Sequence, residues 1–138
     1  MSSSPERGST AERCRVGIIT DGGWIIANNG DKSSFGGNAK SSESGATSGQ
    51  QQYRDRGPAQ PMRVNSINVL AIVCDGATEA SIYGQATIDG SGSFFFRIKV
   101  KDVAEPGVGQ DTYWIILENG YNSGEHTLGG GNVQIHRG

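Results

Sequence analysis

The sequence has no apolar run long enough to cross a membrane. Apolar runs such as Phe94–Phe96 and Trp114–Leu117 fall far short of the roughly 20 residues that a transmembrane helix requires. It also has no excess of one charge sign, because 12 Lys and Arg residues against 14 Asp and Glu residues give a formal charge of −2. A general nucleic-acid binder is usually strongly basic. We therefore expect neither a membrane span nor a nucleic-acid partner.

Cysteine is scarce, and this limits the metal and redox chemistry that the sequence allows. Cys14 and Cys74 are the only two cysteines, and they are too few and too far apart for a typical zinc site. One interpretation is a disulfide, which would close a loop of about 60 residues and contribute about 4 kcal/mol to stability on the chain-entropy model. The other is a pair of buried thiols that pack as small apolar groups. The sequence leaves both open.

Glycine, in contrast, is abundant. The 138 residues include 22 Gly and 4 Pro without a collagen-like period, so turns should be frequent. The length suits a single domain. Residues 1–13 are polar and aperiodic, which predicts a disordered arm, and residues 14–138 should form the one folded domain. The first ten residues have no apolar core of the kind that an export signal contains.

Alternation with a period of two is the clearest structural signal. Apolar and polar residues alternate from Ala80 to Asp89 and again from Phe94 to Lys101, with a glycine-rich turn between them. This pattern is typical of a β-hairpin with one buried face. No segment repeats apolar residues at helical spacing for three turns. The sequence therefore predicts an all-β domain, an antiparallel β-sandwich or barrel of about nine to ten short strands.

Glycine and serine clusters divide the first half of the chain. Thr20–Gly23 predicts a turn between two strands, and Ser41–Gly49 predicts the longest loop. Val64–Cys74 is rich in β-branched residues and predicts a strand. On one face of that strand we expect a set of four apolar side chains: Ile67, Val69, Ala71 and Val73.

Three carboxylates surround a predicted turn at Pro106-Gly107. Asp102, Glu105 and Asp111 would suit a hard cation such as calcium, although their spacing matches no EF-hand loop. The alternative, which we favour, is that Asp102 and Asp111 accept hydrogen bonds from backbone amides and fix the turn. No other cofactor is expected.

Aromatic side chains offer a better candidate for binding. If Phe94 and Phe96 point inward, Phe95 points outward, and one of Tyr113 and Trp114 must do so as well. Exposed rings on a sheet can stack on a sugar or contact a protein. We therefore assign Phe95, Tyr113 and Trp114 as candidate binding residues.

The histidines do not indicate catalysis. His126 has Ser123 and Glu125 nearby in sequence, but a catalytic triad requires groups that converge from distant segments together with an oxyanion site. A metal site that uses His126 and His136 lacks a third ligand at a diagnostic spacing. The sequence therefore favours a protein that is not an enzyme.

Several short motifs together resemble one known family. They occur in this order: Gly22–Ile25, Ser34–Gly36, Tyr53–Asp55, Ala80–Gly90, Phe96–Asp102, Glu105–Gly107, Asp111–Ile115, Gly120-Tyr121 and Gly129–His136. In these segments, which span about residues 15–137, the chain resembles a bacterial accessory β domain of the post-COAP type. Such domains typically occur in secreted or surface proteins next to adhesive modules, and no catalytic activity is generally assigned to them.

The resemblance implies an extracellular or cell-surface domain without enzymatic activity. Our first hypothesis is a spacer or assembly unit that packs against neighbouring proteins or copies of itself, even as a filament, through exposed strand edges and apolar surface. The second is a carbohydrate-binding module, with the exposed rings as a platform and calcium at the acidic turn.

Overall fold

All regular elements that the structure describes are β-strands. The computed structural model describes residues 11–13, 17–42, 44–75, 78–103 and 110–137. Within them lie ten strands: β1 (Ala11–Arg13), β2 (Gly17–Ile26), β3 (Lys32–Ser41), β4 (Thr47–Asp55), β5 (Met62–Asp75), β6 (Glu79–Ile88), β7 (Ser91–Lys101), β8 (Thr112–Leu117), β9 (His126–Thr127) and β10 (Gly130–Arg137). The predicted all-β class is confirmed.

One strongly curled antiparallel sheet contains these strands. Their spatial order is β10-β2-β3-β4-β5-β6-β7-β8-β9, and β1 adds to β5 outside this path. Because most neighbours in sequence are also neighbours in the sheet, short connections suffice. The sheet curls into a half-barrel whose concave side encloses the hydrophobic core, and its convex outer face is exposed.

The hairpin predicted from Ala80 to Lys101 is present. β6 pairs with β7 from Glu79 opposite Lys101 to Ile88 opposite Ser91. Most even-numbered residues of the two strands, including Ile82, Phe96 and Ile98, are buried in the core, and Phe94, also expected to point inward, is half-buried. Asp89, at the turn, has a φ of 52°, a left-handed conformation that Asp tolerates better than most residues.

The turn predicted at Thr20–Gly23 is wrong, because these residues continue β2 without a break. Gly23 lies opposite Gly131 of β10, and both have a positive φ. A Cβ on Gly23 would overlap the carbonyl oxygen of Gly130, and one on Gly131 would overlap that of Gly22. The two strands can approach each other this closely only because both residues are glycine. In the sequence alone, the same glycines are typical of a turn.

The face predicted for β5 is also wrong, and two β-bulges explain the error. The register with β6 shifts between Ser66 and Asn68 and again between Val69 and Ala71, so Ile67 and Leu70 are extra residues. Each extra residue reverses the alternation. Val69 is buried as expected, but Ile67 is exposed. Ile72 is buried, whereas Ala71 and Val73 on either side of it are only half-buried.

Two boundaries differ from the sequence-based assignment. The loop predicted at Ser41–Gly49 is shorter, because β4 begins at Thr47. Ala11–Arg13, assigned to the polar arm, forms β1 and pairs with Val73–Asp75; residues 1–10 lie outside the described residues. Cys74 is buried in the core opposite Glu12, and Cys14 lies outside the described residues. The disulfide between them stays a prediction.

Candidate functional site

The three aromatic residues predicted as a binding surface do not share one face. Tyr113 is wrong as a surface residue, because it is completely buried in the core. Phe95 is 55% exposed on the outer face of β7, and Trp114 lies on the outer face of β8. Trp114 pairs with Lys99, four residues along β7 from Phe95, which corresponds to about 13 Å. The two rings are therefore too far apart to stack on a single sugar ring.

The acidic residues of the predicted calcium site bind backbone amides. Asp111 is fully buried, and its Oδ1 and Oδ2 accept hydrogen bonds from the amides of Val103 (2.7 Å) and Val133 (3.0 Å). Asp102 Oδ2 accepts one from the amide of Ile135 at 2.9 Å. Glu105 lies outside the described residues. These bonds join the β7–β8 side of the sheet to β10, so the two carboxylates close the seam of the half-barrel.

The histidines take part in local contacts. His126 Nε2 lies 2.8 Å from Asn28 Oδ1 and 2.9 Å from the carbonyl oxygen of Ser123. Ser123 Oγ accepts a hydrogen bond from the amide of Ile115, and His136 contacts Gln134. These contacts link the β8–β9 connection to the end of β2. Within the described ranges, no group of three His, Cys, Asp or Glu side chains is arranged to hold a metal ion.

A stack of aromatic rings fills the interior at one end of the half-barrel. The rings of Phe35 and Tyr113 stack with centroids 3.8 Å apart, and Tyr53 stacks on Tyr113 at 5.9 Å. The hydroxyl of Tyr53 lies 2.6 Å from that of Tyr121, which donates to Asp55 Oδ2 at 2.9 Å. Burial raises the pKa of each of the three tyrosines. They therefore remain neutral and serve packing and hydrogen bonding.

Two buried carboxylates hold the loop between β4 and β5. Asp31 Oδ1 and Oδ2 accept hydrogen bonds from the amides of Ala59 (3.0 Å) and Gln60 (2.9 Å). Asp55 Oδ1 accepts one from Gly57 at 2.8 Å. Burial acts to raise the pKa of Asp31, but the amides of Gln60 and Ala59 outweigh it, so this pKa lies below its ordinary value. The loop is thus tied to the sheet at three amides.

Asp21 is a buried carboxylate of a different kind. It points into the core from β2, and neither of its oxygens has a hydrogen-bond partner among the described residues. Burial raises its pKa from 3.8 to about 7. The same group lies near Tyr113 and contributes to the raised pKa of that phenol. Asp21 is therefore a destabilising group once it ionises.

An apolar patch lies on the outer face of β5, β6 and β7. It consists of Ile67, Leu70, Tyr83 and Phe95, of which Ile67 and Leu70 are 53% and 49% exposed. The bulges of β5 turn these two side chains outward. Arg97 lies beside the patch, with its guanidinium 5.8 Å from the centre of the Tyr83 ring. Aromatic, aliphatic and arginine side chains together are typical of protein contact surfaces.

Three arginines form a second feature of the outer face. Arg54 of β4 lies directly opposite Arg63 of β5, and both are exposed. Arg56 follows Arg54 by two residues, and its Nη2 donates to Ser34 Oγ at 3.2 Å. None of the three guanidinium groups forms an ion pair with any residue in the described part of the chain. Like charges directly opposite each other in a sheet are destabilising, so this cluster has no evident structural purpose.

These arginines line a groove that follows β4 and β5, which we call the arginine groove. Its middle section has a volume of about 340 Å³ and is lined by all three arginines together with Ser34, Gln52 and Asn65. A section of about 590 Å³ continues toward Asp89, and one of about 360 Å³ continues toward Ile67. Asn65 lines all three sections. The sections are therefore parts of one polar depression.

Sequence reasoning did not find the arginine groove. Gln52, Arg54 and Arg56 alternate with buried residues in the structure, but two of those buried residues, Gln51 and Asp55, are polar, so the sequence shows no apolar alternation that would indicate the outward face. The position of Arg63 opposite Arg54 does not follow from the pattern either, because a loop that contains Pro58 and Pro61 separates the two strands and hides the register.

Comparison of the chain with protein-family models, with curated proteins and with solved structures finds no match to any of them. No helix in the described ranges has the length and hydropathy that a membrane span requires.

Proposed function

We propose that this chain is a non-catalytic interaction domain, a spacer or assembly unit, that associates with a second copy of itself through the apolar patch. The observation that carries this proposal is the exposure of Ile67, Leu70 and Phe95 on one part of the outer face. Apolar side chains exposed together lose unfavourable contact with water when another protein covers them.

Charge at the border of the patch favours a like surface as the occupant. When two identical surfaces meet about a two-fold axis, like charges approach each other unless they are neutralised. Lys99 Nζ lies 3.1 Å from Glu79 Oε1, and Lys101 Nζ lies 3.4 Å from Glu125 Oε2. The two lysines that follow Arg97 on the outer face of β7 are thus paired with acids, and the guanidinium of Arg97 lies over the Tyr83 ring.

Association through exposed strand edges has less support. The amides of Val133 and Ile135 on β10 donate to Asp111 and Asp102, so an added strand would have to displace both carboxylates. Occupied edge amides are one way in which proteins block edge-to-edge pairing. The face of the sheet is therefore the better contact surface.

The proposal includes an extracellular or cell-surface location and a relationship to accessory β domains of the post-COAP type. Both rest on the sequence motifs described above, several of which lie in regular strands of one curled sheet. A domain that links or spaces other modules needs a rigid body and a contact surface rather than an active site.

Light scattering coupled to size-exclusion chromatography tests the proposed association. Over a rising concentration series, the wild-type particle should approach twice the 14.5 kDa mass of one chain. A variant with Leu70→Ser and Phe95→Ser should remain at the mass of one chain. Ile26→Ser, which alters an equally exposed isoleucine on β2, is the matched control. A wild-type chain that stays monomeric throughout, or a control variant that also loses association, would contradict the proposal.

A further inference from the structure

We infer that the arginine groove binds an acidic polysaccharide, with Arg54, Arg56 and Arg63 contacting its carboxylate or sulfate groups. The arginines of this site lie on β4, directly after it and at the start of β5, away from Leu70 and Phe95. Only Ile67, at the far end of the groove, belongs to both surfaces, so the inference does not depend on the proposed self-association. The alternative of a carbohydrate-binding module thus gains support at a surface other than the aromatic residues that suggested it.

The charges of the groove fit an oxyanion. Three guanidinium groups line its middle section, and none of the described carboxylates does. Asp55 and Asp89 line the adjoining larger section, where one oxygen of each accepts a hydrogen bond from a backbone amide. Arginine presents paired N–H donors that match the two oxygens of a carboxylate or sulfate. Arg54 and Arg63 lie opposite each other on neighbouring strands, where Cβ atoms are about 5 Å apart, so one anionic group can contact both. Binding would also relieve the repulsion between them.

The remaining lining suits the neutral parts of a sugar chain. Gln52 and Asn65 line the middle section, and Gln50 and Ser66 line the section toward Ile67. Amide and hydroxyl side chains donate and accept hydrogen bonds, as the hydroxyl groups of a sugar require. From Gly49 to Arg56 the groove follows eight residues, in β4 and directly after it, whose seven steps span roughly 23 Å. This length accommodates a short oligosaccharide rather than an isolated ion.

The wall of the groove is held in place before any ligand binds. Arg63 donates its backbone amide to Asp89 Oδ1 at 2.9 Å and accepts a bond from the Asp89 amide at 2.8 Å. On the other side, Arg56 donates its backbone amide to the carbonyl of Lys32, and Asp55 holds the next residue, Gly57. A fixed backbone lowers the entropy that the site loses on binding.

Nucleic acid fits this groove less well. Proteins that bind single strands usually offer exposed rings on which bases stack. The two rings that line the groove, Phe35 and Tyr53, are buried beneath it. Trp24, nearby on the same outer face, is half-buried. Gly129 and Gly130 lie against part of its ring, and the Lys32 ammonium lies 4.3 Å from the ring centre.

Calorimetric titration with defined polymers tests the inference. Heparin supplies sulfate groups, polygalacturonate supplies carboxylates alone, dextran is a neutral control, and a single-stranded DNA oligomer is the competing polyanion. We expect at least one acidic polysaccharide to bind in a salt-dependent manner and dextran not to bind. The variant with Arg54→Gln and Arg63→Gln should lose at least tenfold in affinity.

Lys40→Gln is the matched control, because it removes one exposed cation from β3 outside the groove. It should change the affinity by less than twofold. Circular dichroism and thermal unfolding of each variant verify that the fold is retained. Absence of binding to both acidic polysaccharides would overturn the inference. So would tighter binding of DNA, or an equal loss of affinity in Lys40→Gln.

Discussion

Arg54 and Arg63 lie directly opposite each other on neighbouring strands, and neither has a carboxylate partner in the described part of the chain. Two like charges at such a position cost about 0.2–1 kcal/mol of stability. We therefore predict that Arg54→Thr raises the free energy of unfolding by a few tenths of a kcal/mol, because it removes the repulsion and introduces a residue that favours strands.

Urea unfolding at low ionic strength measures this change. Lys40→Thr is the comparison, because Lys40 lies opposite Ile18 and Ser48 rather than another cation. Salt should diminish the gain in Arg54→Thr, since screening weakens the repulsion in the wild type. A loss of stability in Arg54→Thr would mean that Arg54 makes a favourable contact and is not kept for binding.

Asp111 is expected to be the most important carboxylate for closure of the half-barrel. Its side chain is fully buried and accepts amides from both sides of the seam. Asp111→Asn retains the shape but places an NH₂ group against a buried amide, so it should lower the free energy of unfolding by about 2–3 kcal/mol. Asp102→Asn, which affects one bond at a partly exposed site, should cost about 1 kcal/mol. Denaturant unfolding of the two variants gives both values, and an equal or reversed order would contradict this role.

The buried Asp21 predicts a specific dependence of stability on pH. Its pKa is about 7 in the folded protein and near 3.8 when it is unperturbed. Well below pH 3.8 the group is protonated in both states, and the folded protein bears no cost. As the pH rises toward 7, only the unfolded chain releases this proton, so stability falls by up to about 4 kcal/mol and then levels off.

Asp21→Asn should abolish this loss and make the variant more stable than the wild type above pH 7. The measurement is the difference in free energy of unfolding between the two proteins from pH 3.5 to pH 8. This difference isolates Asp21 from Asp31, whose lowered pKa has the opposite effect and reduces stability as the pH falls. A difference that does not change with pH would show that Asp21 is not the titrating group.

The disulfide between Cys14 and Cys74 is tested chemically. In protein unfolded without a reductant, neither cysteine should react with an alkylating agent, and after reduction both should react. Reduction should lower the stability by about 4 kcal/mol, as expected for a loop of about 60 residues. Alkylation of both thiols before reduction would instead identify them as free, and Cys74 as a small apolar core residue.

Sequence reasoning succeeded where one local pattern determined the structure. The alternation from Ala80 to Lys101 predicted both strands and their buried faces, because each residue's side of the sheet follows from its neighbours. It failed at Gly23, because the close approach of Gly131 is a contact between distant segments. The sequence also does not determine which of Tyr113 and Trp114 points outward. In a continuous apolar run, no polar residue marks the exposed face of the strand.

The candidate site was harder to predict than the fold. The sequence predicts that Asp102 and Asp111 accept hydrogen bonds from backbone amides, and the structure contains such bonds. The groove depends on the pairing of β4 with β5 and on the absence of ion pairs to its arginines among the described residues, and neither follows from a short segment of sequence.

The most direct test of the binding surface is an NMR titration of the full chain with a heparin-derived oligosaccharide. Our account predicts that the amide signals of Arg54, Arg63 and Asn65 shift progressively and saturate, while those of the apolar patch at Leu70 and Phe95 stay in place. Unchanged groove signals at saturating oligosaccharide, or shifts confined to other parts of the sheet, would contradict it.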